Sequence, residues 1–289
     1  MSKKFNHSKK QGYQKSLIGL LLVIIPVLLL ACLIIYPIIS AIISTLINDQ
    51  KNGLVLSLKA YRFFFTDEFS LNSLRFTLWT TLVSVLLLLI IGMPIAIYLR
   101  FSSGKMASYV QTLTVFPMFV PSIILSYALI RTIGPNGTLD IVLHHIGLPQ
   151  IPSPYLTPWG PVIALVWDNL PITVLMLTAG LSAISNSAIE AARDVGANPW
   201  QVFWHIILPR MSNSLLVTSS FAVLAIFSAF TLPYLLGPTS PEMMGPLMQR
   251  TFGDLNDPLQ AKTQAVISFG VCVFFDAFYV YSIAKNREG

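Results

Sequence analysis

The chain has 289 residues, of which 54% are apolar and only 10% charged, and its mean hydropathy is +0.71. A soluble domain carries charged residues at about a quarter of its positions, so this composition excludes a water-covered globule and makes lipid the surrounding medium. The formal charge of +6 would suit nucleic acid, but its distribution assigns it to membrane orientation instead.

In chain order, a basic tail at 1–16 precedes six apolar stretches, 17–46, 74–99, 107–133, 160–184, 212–236 and 264–283. Each reaches the ~20 residues that cross a hydrocarbon core as a helix. None alternates with period two, so strands are excluded. The first stretch is far longer than the roughly 7–15 residues of a signal core and is read as a retained helix. The expected fold is therefore all-α: a polytopic membrane protein with six transmembrane helices. Its parts are a cytoplasmic basic tail (1–16), a first transmembrane helix (17–46) and a membrane core of helices 2–6 (74–284), which includes a loop at 185–211.

With the N-terminus inside, the inner segments 1–16, 100–106, 185–211 and 284–289 hold 11 Lys and Arg against Glu190, Asp194 and Glu288, a balance of +8. The outer segments hold 7 basic and 7 acidic residues. Basic loops stay in the cytoplasm, so both termini are placed there. Pro26, Pro37, Pro94, Pro117, Pro121, Pro161, Pro171 and Pro233 punctuate the spans. They are either kinks that shape a changing cavity or the ordinary proline content of membrane helices. Cys32 and Cys272 lie in apolar runs without ligand spacing and read as small apolar fillers.

The loop after the fourth stretch has a legible design. Ser187 with Glu190 forms a capping-box pattern, predicting a helix start, and Gly196 ends that helix. Asn198 followed by Pro199 predicts a second start. Trp200, Phe203, Trp204 and Ile207 then share one face, and Pro209 closes the segment. An exposed aromatic stripe of this kind lies on headgroups, packs beneath its own bundle, or docks on another protein.

Read as Glu190-Ala191-Ala192, three residues, Gly196, nine residues, Ile206, one residue, Leu208-Pro209, this loop resembles the signature loop of binding-protein-dependent ABC importer permeases. Further resemblance lies in Leu58-Lys59-Ala60-Tyr61, Arg75-Phe76-Thr77-Leu78, Gly92-Met93-Pro94-Ile95-Ala96, Phe116-Pro117 through Asn136-Gly137, Leu170-Pro171, and Leu232 to Gly237. Together these cover about four-fifths of the chain. The resemblance implies a six-span type I importer permease in the bacterial plasma membrane. It also implies that Glu190, Ala191, Ala192, Gly196, Ile206, Leu208 and Pro209 couple the chain to an ATP-binding subunit; for Glu190, helix capping is the plainer alternative.

The implied partners are an ATP-binding subunit pair, a second permease subunit, which in this branch is usually a different chain, and an extracytoplasmic solute-binding protein. No cofactor is implied in this chain, because ATP and Mg belong to the partner subunit. The wording Glu-Ala-Ala-Arg-Asp-Val-Gly-Ala at 190–197 is closer to the polyamine, ferric iron, thiamine and aminoethylphosphonate branch than to the sugar branch, although Leu235-Leu236-Gly237-Pro238 departs from the double glycine expected of polyamine permeases. A sugar or glycerol-phosphate importer permease is the alternative.

An ionisable group at mid-bilayer costs roughly 2.5–3.5 kcal/mol on insertion scales. Asp168, beside Asn169 and before Pro171, and Asp276 in the last stretch are therefore candidates for lining a translocation pathway. Helix–helix hydrogen bonding, or an interfacial position, is the competing role. His144 and His145 fall in the outer loop 134–159, one face for an external partner.

No Gly-x-x-x-x-Gly-Lys-Ser/Thr loop is present, and neither is a Ser/His/Asp set, a His-Glu-x-x-His motif or a metal cluster. The chain is read as a non-enzyme that takes its energy from another subunit. An ion-coupled secondary transporter would need paired midplane charges and unwound half-helices in both halves. A membrane-bound enzyme would need clustered His, Asp or Glu at one membrane face.

Overall fold

The computed structural model describes residues 22–50, 53–149 and 151–287. The tail 1–16 and the first residues of the 17–46 stretch lie outside them. The chain divides into two compact units, Met1–Phe63 and Phe64–Gly289.

In the first unit, α1 (Leu22–Leu46) is a long apolar helix with a π-turn at Ala31–Ile35, closed by the Tyr36 N–H donating to the Ala31 carbonyl. Pro37 follows directly and has no N–H to continue the ladder, so the wider turn forms just before it. Thr45 Oγ1 donates to the Ile42 carbonyl at 2.8 Å and shares a 2.7 Å hydrogen bond with the Tyr61 hydroxyl. Strands β1 (Ile47–Gln50) and β2 (Gly53–Leu56) pair antiparallel, Ile47 opposite Leu56 and Gln50 opposite Gly53. This short hairpin is a local addition to an otherwise helical chain. Helix α2 (Lys59–Thr66) runs across the division between the units.

The second unit begins its membrane helices with α3 (Glu68–Phe101). The helix starts six residues before the apolar stretch at 74–99, because Asp67 caps it: Oδ2 accepts from the Ser70 N–H at 2.8 Å and from the Ser70 hydroxyl at 2.7 Å. Its buried face carries Ser73, Thr77, Thr80, Thr81 and Ser84, then Gly92, Met93 and Ala96. That face packs along α7 (Trp159–Ser182), the most extensive helix contact in the unit. A Cβ on Gly92 would meet Thr173 Cγ2 at 3.3 Å, so glycine permits this close crossing.

The expected span at 107–133 is broken at its prolines. Helix α4 (Lys105–Val115), a 3₁₀ turn (Phe116–Phe119) and α5 (Ser122–Ile133) are separated by Pro117 and Pro121. The bend between Lys105–Phe119 and Ser122–His145, which includes α6 (Thr138–His145), is 110°. Neither proline has an N–H to carry the α-ladder through the junction.

The loop helices α8 (Asn186–Asp194) and α9 (Pro199–Arg210) follow. Helix α10 (Ser212–Phe227) stops short of the expected 212–236 span, and α11 (Thr231–Leu236) resumes after three residues. A helix the apolar pattern does not predict, α12 (Met244–Gly253), precedes α13 (Pro258–Arg287). The N-terminus of α12 is satisfied from a distance, its Met244 N–H donating to Thr77 Oγ1 at 2.8 Å.

Among the described residues, three helices, Leu22–Leu46, Glu68–Phe101 and Trp159–Ser182, are long and apolar enough to cross a membrane; two bent pairs raise the number to five if each is one span. The 264–283 stretch falls within α13, whose side chains from residue 278 lie outside the description. One core cluster of the second unit gathers Phe76, Leu88, Leu125, Leu165, Ile226 and Leu236. Another, containing Met93, Leu177, Leu181, Ile189, Val202 and Ile207, roots the α8–α9 loop.

Candidate functional site

The α8–α9 segment is built from turn chemistry laid on a packed base. Helix α8 is capped by Ser185 in extended conformation, without a side-chain hydrogen bond. The expected Ser187–Glu190 capping box does not form: Ser187 lies inside the helix, its hydroxyl 3.3 Å from that of Ser185. The chain turns into the helix earlier because Ile184 and Ile189 bury against the base of α7, leaving Ser187 with helical neighbours on both sides.

The C-terminal end matches the expectation. Gly196 has φ +86°, its N–H donates to the Arg193 carbonyl at 2.9 Å, and the Ala197 N–H donates to the Ala192 carbonyl at 3.0 Å. These two bonds define a Schellman motif, and glycine supplies its left-handed residue without a Cβ penalty.

Asn198 then caps α9 reciprocally. Its Oδ1 accepts from the Gln201 N–H at 2.8 Å, and Gln201 Oε1 accepts from the Asn198 N–H at 2.8 Å. Asn198 and Pro199 mark this start in the sequence, and Gln201, three residues on, completes the capping box. A π-turn at Phe203–Ile207 closes with the Leu208 N–H donating to the Phe203 carbonyl, one residue before Pro209. The arrangement repeats that seen before Pro37.

These local structures sort the candidate residues by exposure. Glu190, Ala191, Gly196 and Pro209 are exposed, Ala192, Ile206 and Leu208 half-buried. Val195 stands beside the glycine at 84% exposure. A Cβ on Gly196 would meet nothing within 4 Å, so the surface there is open. Val202 and Ile207 point into the core, while Trp200, Phe203 and Trp204 form a ring cluster with centroids 5.4–6.0 Å apart.

Arg100, at the end of α3, ties the loop to the bundle. Its Nη2 donates to Asn186 Oδ1 at 2.8 Å and lies 3.4 Å from the Ile184 carbonyl. In the sequence Arg100 registers only as a charge at a span end, and nothing there signals a partner 86 residues away.

The pathway candidates lie apart from this loop. Asp168 and Asp276 are half-buried on α7 and α13, and among the described residues no hydrogen bond or ion pair engages either carboxylate. Asn169 is buried and donates to the Leu165 carbonyl of its own helix at 2.9 Å, a bond within α7 and not one between helices. His144 and His145 are exposed at the end of α6. Among the described residues no group of three His, Cys, Asp or Glu could hold a metal.

Residues 89–287 match the family model described as "Binding-protein-dependent transport system inner membrane component". The chain is 26% identical over 224 residues to the molybdenum transport system permease protein ModB of Azotobacter vinelandii, covering 77% of this chain and 96% of that protein. It is also 26% identical over 224 residues to the spermidine/putrescine transport system permease protein PotB of Escherichia coli, covering 77% and 82%. Among solved structures, a chain of a bacterial alginate ABC transporter in complex with its periplasmic protein shares the fold with a TM-score of 0.77 at 15% identity, covering 93% of this chain and 94% of that one. A chain of the inward-facing MetNI methionine ABC transporter aligns with a TM-score of 0.58 at 18% identity, covering 74% and 94%.

Proposed function

The chain belongs to the family of binding-protein-dependent transport system inner membrane components, and from that membership we propose that it works as one permease subunit of an importer driven by a separate ATP-binding subunit pair. In this reading it crosses the membrane six times with both termini in the cytoplasm, where the excess of Lys and Arg lies. The α8–α9 loop then faces the cytoplasm. The observation that carries the reading is the geometry of that loop: an exposed Glu190, Ala191, Val195 and Gly196 surface on a base locked into the core by Ile189, Val202 and Ile207.

A rigid base matters because force must pass through the loop. Nucleotide-driven closure of the ATPase pair moves the docked loop, and the loop moves the helices rooted beneath it, shifting the access of the pathway. Arg100 couples this motion into α3.

The solute is proposed to be small and charged, handed over by an extracytoplasmic binding protein. A polyamine is the first candidate and a metal oxyanion the second, in keeping with relatives named for spermidine/putrescine and for molybdenum. Asp168 is the proposed pathway residue for a cation. Uptake lost in Asp168→Asn, with normal assembly, supports that role; unchanged uptake removes it.

The test of the function is co-purification of the solubilised chain, expressed with neighbouring genes, in wild-type and Gly196→Asp forms. An ATP-binding subunit is expected with the wild type and lost with the variant. If the wild type retains no ATPase, the importer mechanism fails and an ion-coupled transporter replaces it.

A further inference from the structure

The α8–α9 loop carries a second surface, whose chemistry differs from that of the exposed Glu190–Gly196 face. Helix α9 turns 70° away from α10. If α10 crosses the membrane, as the proposed function requires, α9 lies close to the membrane plane. On it Trp200 is 68% exposed and Trp204 47% exposed. Between α9 and the end of α3 runs a groove of about 290 Å³, walled by Ile97, Phe101, Trp200 and Phe203, with Arg193 at its edge.

Three observations select the occupant. The groove continues an exposed apolar row on α3, Leu82, Leu86, Ile90 and Tyr98, which ends at Phe101. If α3 spans the membrane, as the proposed function requires, such a row suits acyl chains. The Arg193 guanidinium makes no hydrogen bond or ion pair among the described residues, although it borders an almost wholly carbon-lined recess. And Ala191, on the exposed docking face, projects about 200° around α8 from Arg193, while Glu190 lies about 60° from it. The groove therefore borders the docking face, and lipid and ATPase retention read the two apart.

We propose that this groove is a binding site for an anionic phospholipid of the leaflet facing the ATPase. The acyl chain lies along Phe101 and Phe203, the phosphate is held by Arg193, and the Trp200 and Trp204 indole N–H groups sit at headgroup level. Tryptophan is suited to that level by its apolar body and single polar N–H, and an arginine holds phosphate through its planar fork of donors. This inference rests on the proposed membrane placement.

The test uses the assembled importer in detergent, offered equal amounts of phosphatidylglycerol and phosphatidylcholine with matched chains, with retained lipid read by native mass spectrometry. Wild type is expected to retain phosphatidylglycerol preferentially. Arg193→Gln is expected to lower the ratio about fivefold, the scale of one basic side chain at an anionic surface, and Arg193→Lys to restore it, with ATPase subunits present throughout.

An unchanged ratio in Arg193→Gln overturns the site. So does release of the ATPase subunits by that variant without a change in lipid ratio, which would assign Arg193 to the protein interface. If even wild type carries no ATPase, the functional reading fails, while the lipid ratio on the chain alone still tests the groove.

Discussion

Gly160 stands where a side chain would have to occupy the space of a backbone carbonyl. A Cβ there would lie 2.3 Å from the Leu236 oxygen, and the same oxygen already accepts from the Leu156 N–H at 3.0 Å. Gly160→Ala must therefore push α7 and α11 apart. It is expected to lower stability by about 1–3 kcal/mol, read as a lower unfolding temperature in detergent. Gly270→Ala, inside α13, meets nothing within 4 Å and is expected to hold or slightly raise that temperature.

Glu242 behaves differently. It is buried before α12, and its Oε1 lies 2.8 Å from Arg250 Nε, yet neither atom makes a well-directed hydrogen bond. Arg250 also covers the Phe69 ring at 4.6 Å. Burial holds the Glu242 carboxyl above its ordinary value of 4.5; Arg250 pulls it down and Asp254 pushes it up. The folded state thus favours the protonated acid, so its contribution to stability is full below pH 4.5 and is lost as pH rises through the folded value. Unfolding temperatures measured from pH 4 upward should show this decline in wild type. Glu242→Gln should remove that component, and an identical pH profile in the variant would refute the assignment.

The loop helices show what can be inferred from sequence at the level of an element. Gly196, Asn198 and Pro199 specify their turns through backbone rules that act within four residues, and the structure follows them. Asn198→Ala should cost about 0.5–2 kcal/mol of local stability, seen as faster amide exchange across 198–204 with the spanning helices unaffected. The Ser187–Glu190 pattern failed because tertiary burial of Ile184 and Ile189 set the helix start instead. The break at 228–230 and helix α12 were hidden for a related reason. No proline or glycine marks 228–230, and α12 is too short and too mixed in polarity to register as an apolar stretch. The prolines at 117 and 121 marked the other break but could not give its 110° angle, which depends on packing. Arg100→Gln should release the loop from α3. Transport coupled to ATP hydrolysis is then expected to fall while ATPase subunits still co-purify, separating docking from transmission.

For the whole molecule, composition pointed to a helical membrane protein and the 190–209 loop to the transport family, and the family is what the comparisons show. The candidate docking residues could be named because they lie in one short segment, and their role is a proposal. The pathway could not, since residues facing a cavity come from several helices and one chain carries no pattern that unites them. The proposed orientation has a direct test. A cysteine at Ser187 should react with an impermeant thiol reagent only from the cytoplasmic side, and one at His144 only from outside; the reverse would invert the topology.

The hydrogen bond from the Met244 N–H to Thr77 Oγ1 joins residues 167 positions apart. At a synthesis rate of roughly 5–20 residues per second, about 8–30 s separate the two on the ribosome. Throughout that interval α3 is already made and the cap it holds for α12 has no taker. If the helices insert as they are made, the nascent chain passes through a stage in which α3 and α7 can already pair while Thr77 still lacks the Met244 N–H. Chaperones or insertases that shield hydroxyl-bearing helix faces would act in that window, and a chain truncated before Met244 should be their longest-lived client.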